Sequence, residues 1–153
     1  MFGKRVSEYI GFEKVWLGLI AAVGLARLFL SLAGLPDHTV AWLSMNVVVW
    51  AGALYFGAAV HTKGFGSYKQ LLPLMIFATL TMQSIAVLGI LLSIAGMPNV
   101  FTAPEFSFGV QSQWIHLLAH LTIGLVVPPL LLWAVSSLVL LITKKVSRRP
   151  AVA

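Results

Sequence analysis

The chain has 153 residues, of which 59% are hydrophobic and 9% charged, and its mean hydropathy is +0.97. Soluble domains carry about 25% charged residues, so this chain has too little charge for a solvated surface, and an all-α integral membrane fold is expected. The absence of cysteine excludes disulfides, thiolate catalysis and cysteine-based metal sites; the net charge of +6 sits beside apolar runs, which argues for membrane topology and against a nucleic-acid partner.

Four apolar runs match the roughly 20 residues a transmembrane helix needs. The first predicted span covers residues 12–35. Lys4 and Arg5 before it have the look of a signal-peptide start. However, Glu8, Glu13 and Lys14 follow, and the run from Val15 to Leu35 is longer than the usual h-region of about 7–15 residues. A retained helix is expected. Arg27 is the costly residue of this span, at about 2.5–3.5 kcal/mol for a central position on insertion scales. With no acidic partner expected inside any span, it must face the bundle interior or snorkel. On a helical wheel Gly24, Arg27, Ser31 and Gly34 share one side. Gly18, Ala22 and Ala26 form a small-xxx-small stripe nearly opposite, a candidate face for a homo-oligomer or a larger membrane complex.

The second predicted span covers residues 39–60, after the "GLPDHT" turn, and holds Asn46. The third covers residues 68–96 and opens at "KGFGSYKQ". There Ser67 and Gln70 fit a capping box, and Pro73 falls near the first turns, where proline costs least. Gln83 lies inside it. At a rise of about 1.5 Å per residue, Arg27, Asn46 and Gln83 each sit about 20 Å above the basic boundary. They therefore share a layer and predict a polar cluster opening outward. That cluster serves either as interhelical glue or as a pocket for an anionic or carbonyl-bearing ligand, with Arg27 as counter-charge.

The fourth predicted span covers residues 112–143, after the long loop "GMPNVFTAPEFSFG". If continuous it would be about 48 Å long, against a hydrocarbon core of about 30 Å. Pro128 and Pro129 predict a kink there and release the carbonyls of Gly124 and Leu125. Near its start, His116 and His120 lie four apart on one helix face. Both could ligate one metal, with a third ligand from Asp37, His38 or Glu105, although the H-E-x-x-H pattern is absent. A haem would need its second axial ligand from another span, with His38 and His61 as candidates, and His61 lies at the wrong end. A quinone-like or lipid ligand is a third option, and packing beside Trp114 in the outer aromatic belt a fourth. Counted back from Lys144, His120 stands about 36 Å up, so both histidines are expected at the outer interface, above the Arg27 layer.

Nine of the ten lysines and arginines fall on one side of the four spans: Lys4, Arg5, Lys14, Lys63, Lys69, Lys144, Lys145, Arg148 and Arg149. The positive-inside rule then puts both termini in the cytoplasm, in a bacterial-type inner or plasma membrane. The expected fold is a single domain over residues 1–153, an antiparallel up-down bundle of four transmembrane helices. Three readings of function follow. The first is a non-catalytic subunit or scaffold with an outward-facing polar pocket. The second is a transporter or a small-molecule, quinone or lipid-binding protein using Arg27, Asn46 and Gln83. The third is a metal or haem protein using His116 and His120. The lipid bilayer is the one partner that composition itself implies.

Overall fold

The computed structural model describes residues 1–103 and 112–147; Glu105, Arg148 and Arg149 lie outside them. Among the described residues the chain is helical, without strands: α1 (Val6–Leu32), α2 (Met45–Thr62), α3 (Tyr68–Ile94), α4 (Gln113–Leu121) and α5 (Ile123–Ser147). Short 3₁₀ turns occupy Asp37–Thr39 and Val100–Thr102. Of these helices α1, α2, α3 and α5 are long and apolar enough to cross a membrane.

Local chemistry explains where the helices start. The first begins six residues before the predicted span, because Glu8 Oε2 accepts from the Arg5 N–H at 2.8 Å and Glu8 Oε1 pairs with Lys4 at 3.3 Å. An acceptor in the first turn satisfies a donor that the helix leaves free. The second begins later than predicted, at Met45, where the Ser44 hydroxyl accepts from the Val47 N–H at 3.5 Å. At the start of α3, Gln70 Oε1 accepts from the Ser67 N–H at 2.8 Å, the glutamine half of the expected capping box.

The fourth predicted span is not one helix. It is interrupted at Thr122 (φ −114°, ψ −79°), while Pro128 and Pro129, where the kink was expected, lie inside α5. Each ring strips the carbonyl four residues upstream of its donor. Those carbonyls, on Gly124 and Leu125, belong to the first turn of α5, so the discontinuity falls a turn or more before the rings.

Contacts at one end establish the helix directions. Gln70 Nε2 donates to the Phe2 carbonyl, the Lys4 ammonium lies 4.6 Å from the Phe65 ring centroid, and Lys144 lies 4.5 Å from that of Tyr68. The starts of α1 and α3 therefore meet the ends of α2 and α5, as an up-down bundle requires. Here α3 is the hub: it touches α1, α2, α4 and α5, with α1 and α5 on opposite sides of the α2–α3 pair. The interior packs Tyr9, Ile20, Phe56, Leu71, Leu74, Met75, Leu132 and Leu140. The outside is also apolar, with Val15, Phe29, Val47, Leu138 and Ile142 all more than 60% exposed. A continuous apolar exterior of this kind suits lipid contact.

Helices α2 and α5 approach closely at Gly57. A Cβ there would meet Val139 Cβ at 2.6 Å and the Ser136 carbonyl at 2.7 Å. Gly57→Ala is expected to cost about 1–3 kcal/mol by overpacking. Thermal unfolding in detergent should show the loss, and a Gly18→Ala control, where a Cβ meets nothing within 4 Å, should show none.

Candidate functional site

At the end of the bundle away from the lysine cluster, a cavity of about 360 Å³ opens between the helices. Arg27 from α1, Asn46 from α2, Gln83 from α3, and His116 and His120 from α4 all line it. Five of the six residues expected in a ligand site are thus brought together. Trp114 is not among them. On α4 the buried side carries His116 and Leu117, whereas Trp114, Ile115 and Leu118 are exposed. Trp114 lies two residues, some 200°, from His116 around the helix, so the two cannot share a face.

Depth is the second correction. The histidines do not stand above the Arg27 layer, since His120 Nδ1 is 2.6 Å from Gln83 Oε1. Counting rise along one straight helix fails across the break at Thr122, which lets α4 bring its histidines alongside α3.

The polar contacts form an ordered chain. Gln83 Nε2 donates to the Gly124 carbonyl at 2.9 Å, one of the two carbonyls that the prolines release. A side chain on Gly124 would block this approach, because a Cβ there would lie 2.5 Å from Gln83 Nε2. The carbonyl can only accept, so the amide NH₂ must face it and Oε1 must face His120. Oε1 in turn only accepts, so His120 Nδ1 carries the hydrogen. In a neutral ring Nε2 is then the acceptor. The hydrogen in the 3.1 Å contact between the two Nε2 atoms therefore belongs to His116. One backbone defect thus sets two imidazole tautomers.

Arg27 reaches the α1–α2 connection, where Nη1 donates to the Leu43 carbonyl at 3.3 Å. The wheel reading of α1 holds for Gly24, buried against Met45 and Ile85, and for Ser31, whose Oγ accepts from the Val100 N–H at 2.9 Å, but not for Gly34, which lies beyond the end of the helix and is exposed. Of the opposite stripe, Gly18 and Ala22 are exposed and Ala26 is half-buried.

Two features escaped the sequence reading. One is the start of the long loop, which covers the cavity with Val100 and Phe101. Asn99 fastens it, donating to the Gly89 carbonyl at 2.7 Å and accepting from the Phe101 N–H at 3.1 Å. The Pro98-Asn99 pair was its available signal, since asparagine after proline commonly starts a turn. The other is Glu13. The expectation of no acidic residue inside a span is overturned: Glu13 is 0% exposed within α1, and neither carboxyl oxygen has a hydrogen-bond partner. Its place beside Lys14 disguised it as a flanking charge.

Among the described residues no group of three or more His, Asp or Glu side chains comes together to hold a metal. Of the expected metal set, His116 and His120 meet, His38 is exposed, and the Asp37 side chain and Glu105 fall outside what is described. His61 ends α2 at the lysine end, away from the pair.

Comparison of the chain with known protein families, curated proteins and solved structures returned no match.

The hydrogen-bond chain predicts coupling between residues far apart in sequence. Gln83→Leu should cost about 1–3 kcal/mol by stranding the Gly124 carbonyl and His120. Pro128→Ala restores a backbone donor for that carbonyl, so the Gln83→Leu loss should shrink in its background. A double-mutant cycle on unfolding free energy measures this difference; additive losses would count against the arrangement.

Proposed function

We propose that this protein binds a small carbonyl-bearing or anionic molecule, quinone-like or a lipid-derived acid, in the cavity between its membrane helices. The cavity carries this reading. Its volume of about 360 Å³ falls in the range of small-molecule sites, about 300–1,000 Å³. Its wall mixes Met45, Met82, Val100, Phe101 and Pro128 with a few convergent polar groups, the usual composition of such sites. The charge decides the ligand class. Arg27 lines the same space as the histidines, and a cation bound at the imidazoles would meet its positive charge in a low-dielectric interior. An anion or a carbonyl oxygen gains from Arg27, and the imidazole pair, whose two hydrogens are already committed, adds a donor at His116 Nδ1 on protonation. This favours the ligand-binding reading over a metal or haem centre at His116 and His120.

A second reading, as a subunit of a homo-oligomer or larger complex, has its own support. Gly18 and Ala22 are exposed on α1, and this chain places nothing against Gly18. The two readings are compatible, since the stripe and the cavity lie on different faces of α1.

For topology we propose that the lysine end of the bundle is cytoplasmic, with both termini on that side, by the bias of the basic residues. With no native cysteine, single cysteines introduced at Gly64 and at Trp42 should label from opposite sides of intact cells. Labelling of both from one side would contradict the topology.

A soluble quinone and a medium-chain fatty acid serve as probes of the cavity. At least one should raise the thermal midpoint of the wild-type protein in detergent, and a ligand at 100 times its Kd adds about 2.7 kcal/mol. Arg27→Leu should abolish that rise. An unchanged rise in Arg27→Leu, or none in the wild type with either probe, would overturn the reading.

A further inference from the structure

Glu13 has no role in the cavity, yet it is the most unusual buried group in the bundle. It lies two turns into α1 from the lysine end. Trp16 and Ile20 of its own helix, Val48, Val49, Gly52, Ala53 and Phe56 of α2, and Met75 and Ala78 of α3 surround a seam beside it. None of these carries charge, and among the described residues no basic side chain pairs with Glu13. A carboxylate so placed has neither water nor a counter-charge, which is costly, and this packing accommodates the neutral acid. Structural need does not explain the residue, since its oxygens bond to nothing. Ionisable groups retained inside membrane bundles commonly mark proton or ion paths.

The seam leads somewhere. Val49 borders it on α2 and Met45, one turn on, borders the cavity; Ala78 and Met82 do the same on α3, and Val48 and Ser44 repeat the step. The seam and the cavity are therefore consecutive compartments of one interior, between α1, α2 and α3. From Glu13 to Arg27 this interior runs about 20 Å along α1, most of the hydrocarbon thickness. At its far end the His120–His116 pair shares a single hydrogen between two Nε2 atoms, which leaves His116 Nδ1 as the nitrogen that takes up a further proton and gives it back with that contact unchanged. Between the ends, the seam has no room for a water molecule.

We propose that this interior is a gated proton path, with Glu13 as the proton site near the lysine end and the His120–His116 pair as the site at the cavity. In each passage an O–H bond breaks at Glu13 and an N–H bond forms at the imidazole pair, or the reverse, with water carrying the proton between them once the seam widens. Nothing is oxidised or reduced, and the charge moved is balanced by a counter-ion crossing elsewhere in the membrane. The gate is the apolar constriction at Ile20, Phe56 and Met75.

The test uses the purified full chain in liposomes that enclose a pH-sensitive dye, with a potassium gradient and valinomycin driving proton entry. This readout needs no cavity ligand, so its failure and a failure of ligand binding are separately visible. Wild-type vesicles should acidify faster than protein-free ones, and Ile20→Ala, which widens the seam, faster still. Glu13→Gln keeps the shape of the neutral acid, so it should fold with an unchanged thermal midpoint and lose the flux in both the wild-type and the Ile20→Ala backgrounds, and Glu13→Asp should retain part of it. Two results would overturn the proposal: Ile20→Ala vesicles no faster than protein-free ones, or Glu13→Gln leaving the flux intact in either background.

Discussion

A single missing backbone donor organises the cavity end of this bundle. In hydrocarbon every backbone carbonyl must find a partner within the protein. Pro128 withholds one from Gly124, and Gln83 on α3 fills the vacancy. That bond commits the amide to one orientation, the amide commits His120 to one tautomer, and His120 commits His116. Glycine at 124 is part of the same constraint, because a side chain there would occupy the space of the amide. A defect in α5 thus becomes an ordered polar wall between α3 and α4.

The rest of the cavity is arranged around that wall. Helix α1 contributes Arg27, held to the α1–α2 connection through the Leu43 carbonyl, and the Asn99 turn lays Val100 and Phe101 over the space. The polar groups come from four different helices, and those of α1, α3 and α4 also tie segments together, Arg27 to the α1–α2 connection and Gln83 to α4 and α5. This is also why polar residues in a membrane bundle combine two roles: the contacts that hold helices together are the ones available to a ligand.

The two ends of the bundle differ in chemistry. At one, lysines lie over aromatic rings, with Lys4 against Phe65 and Lys144 against Tyr68. At the other, the cavity gathers a guanidinium, two imidazoles and two side-chain amides. Glu13 sits between, nearer the first, in apolar packing.

Much of this was legible in the residue order. Apolar run length and the scarcity of charge determined four long helices, because lipid admits few other backbone solutions. The 3.6-residue period put Arg27 on one side of α1 with Gly24 and Ser31, and equal depth along three helices put Arg27, Asn46 and Gln83 in one layer. The prolines identified the carbonyl that would need a partner. What only the tertiary structure decided was everything that depends on direction across a break or between helices. Rise per residue predicts depth along a straight helix, so it misplaced His116 and His120 once the chain turned at Thr122. Position beside a lysine made Glu13 look solvated, but burial depends on which neighbouring helices close over a side chain. Those neighbours, Val49, Phe56 and Met75, are brought to Glu13 by packing between segments some 36 to 62 residues away in the chain, a distance over which local sequence carries no information.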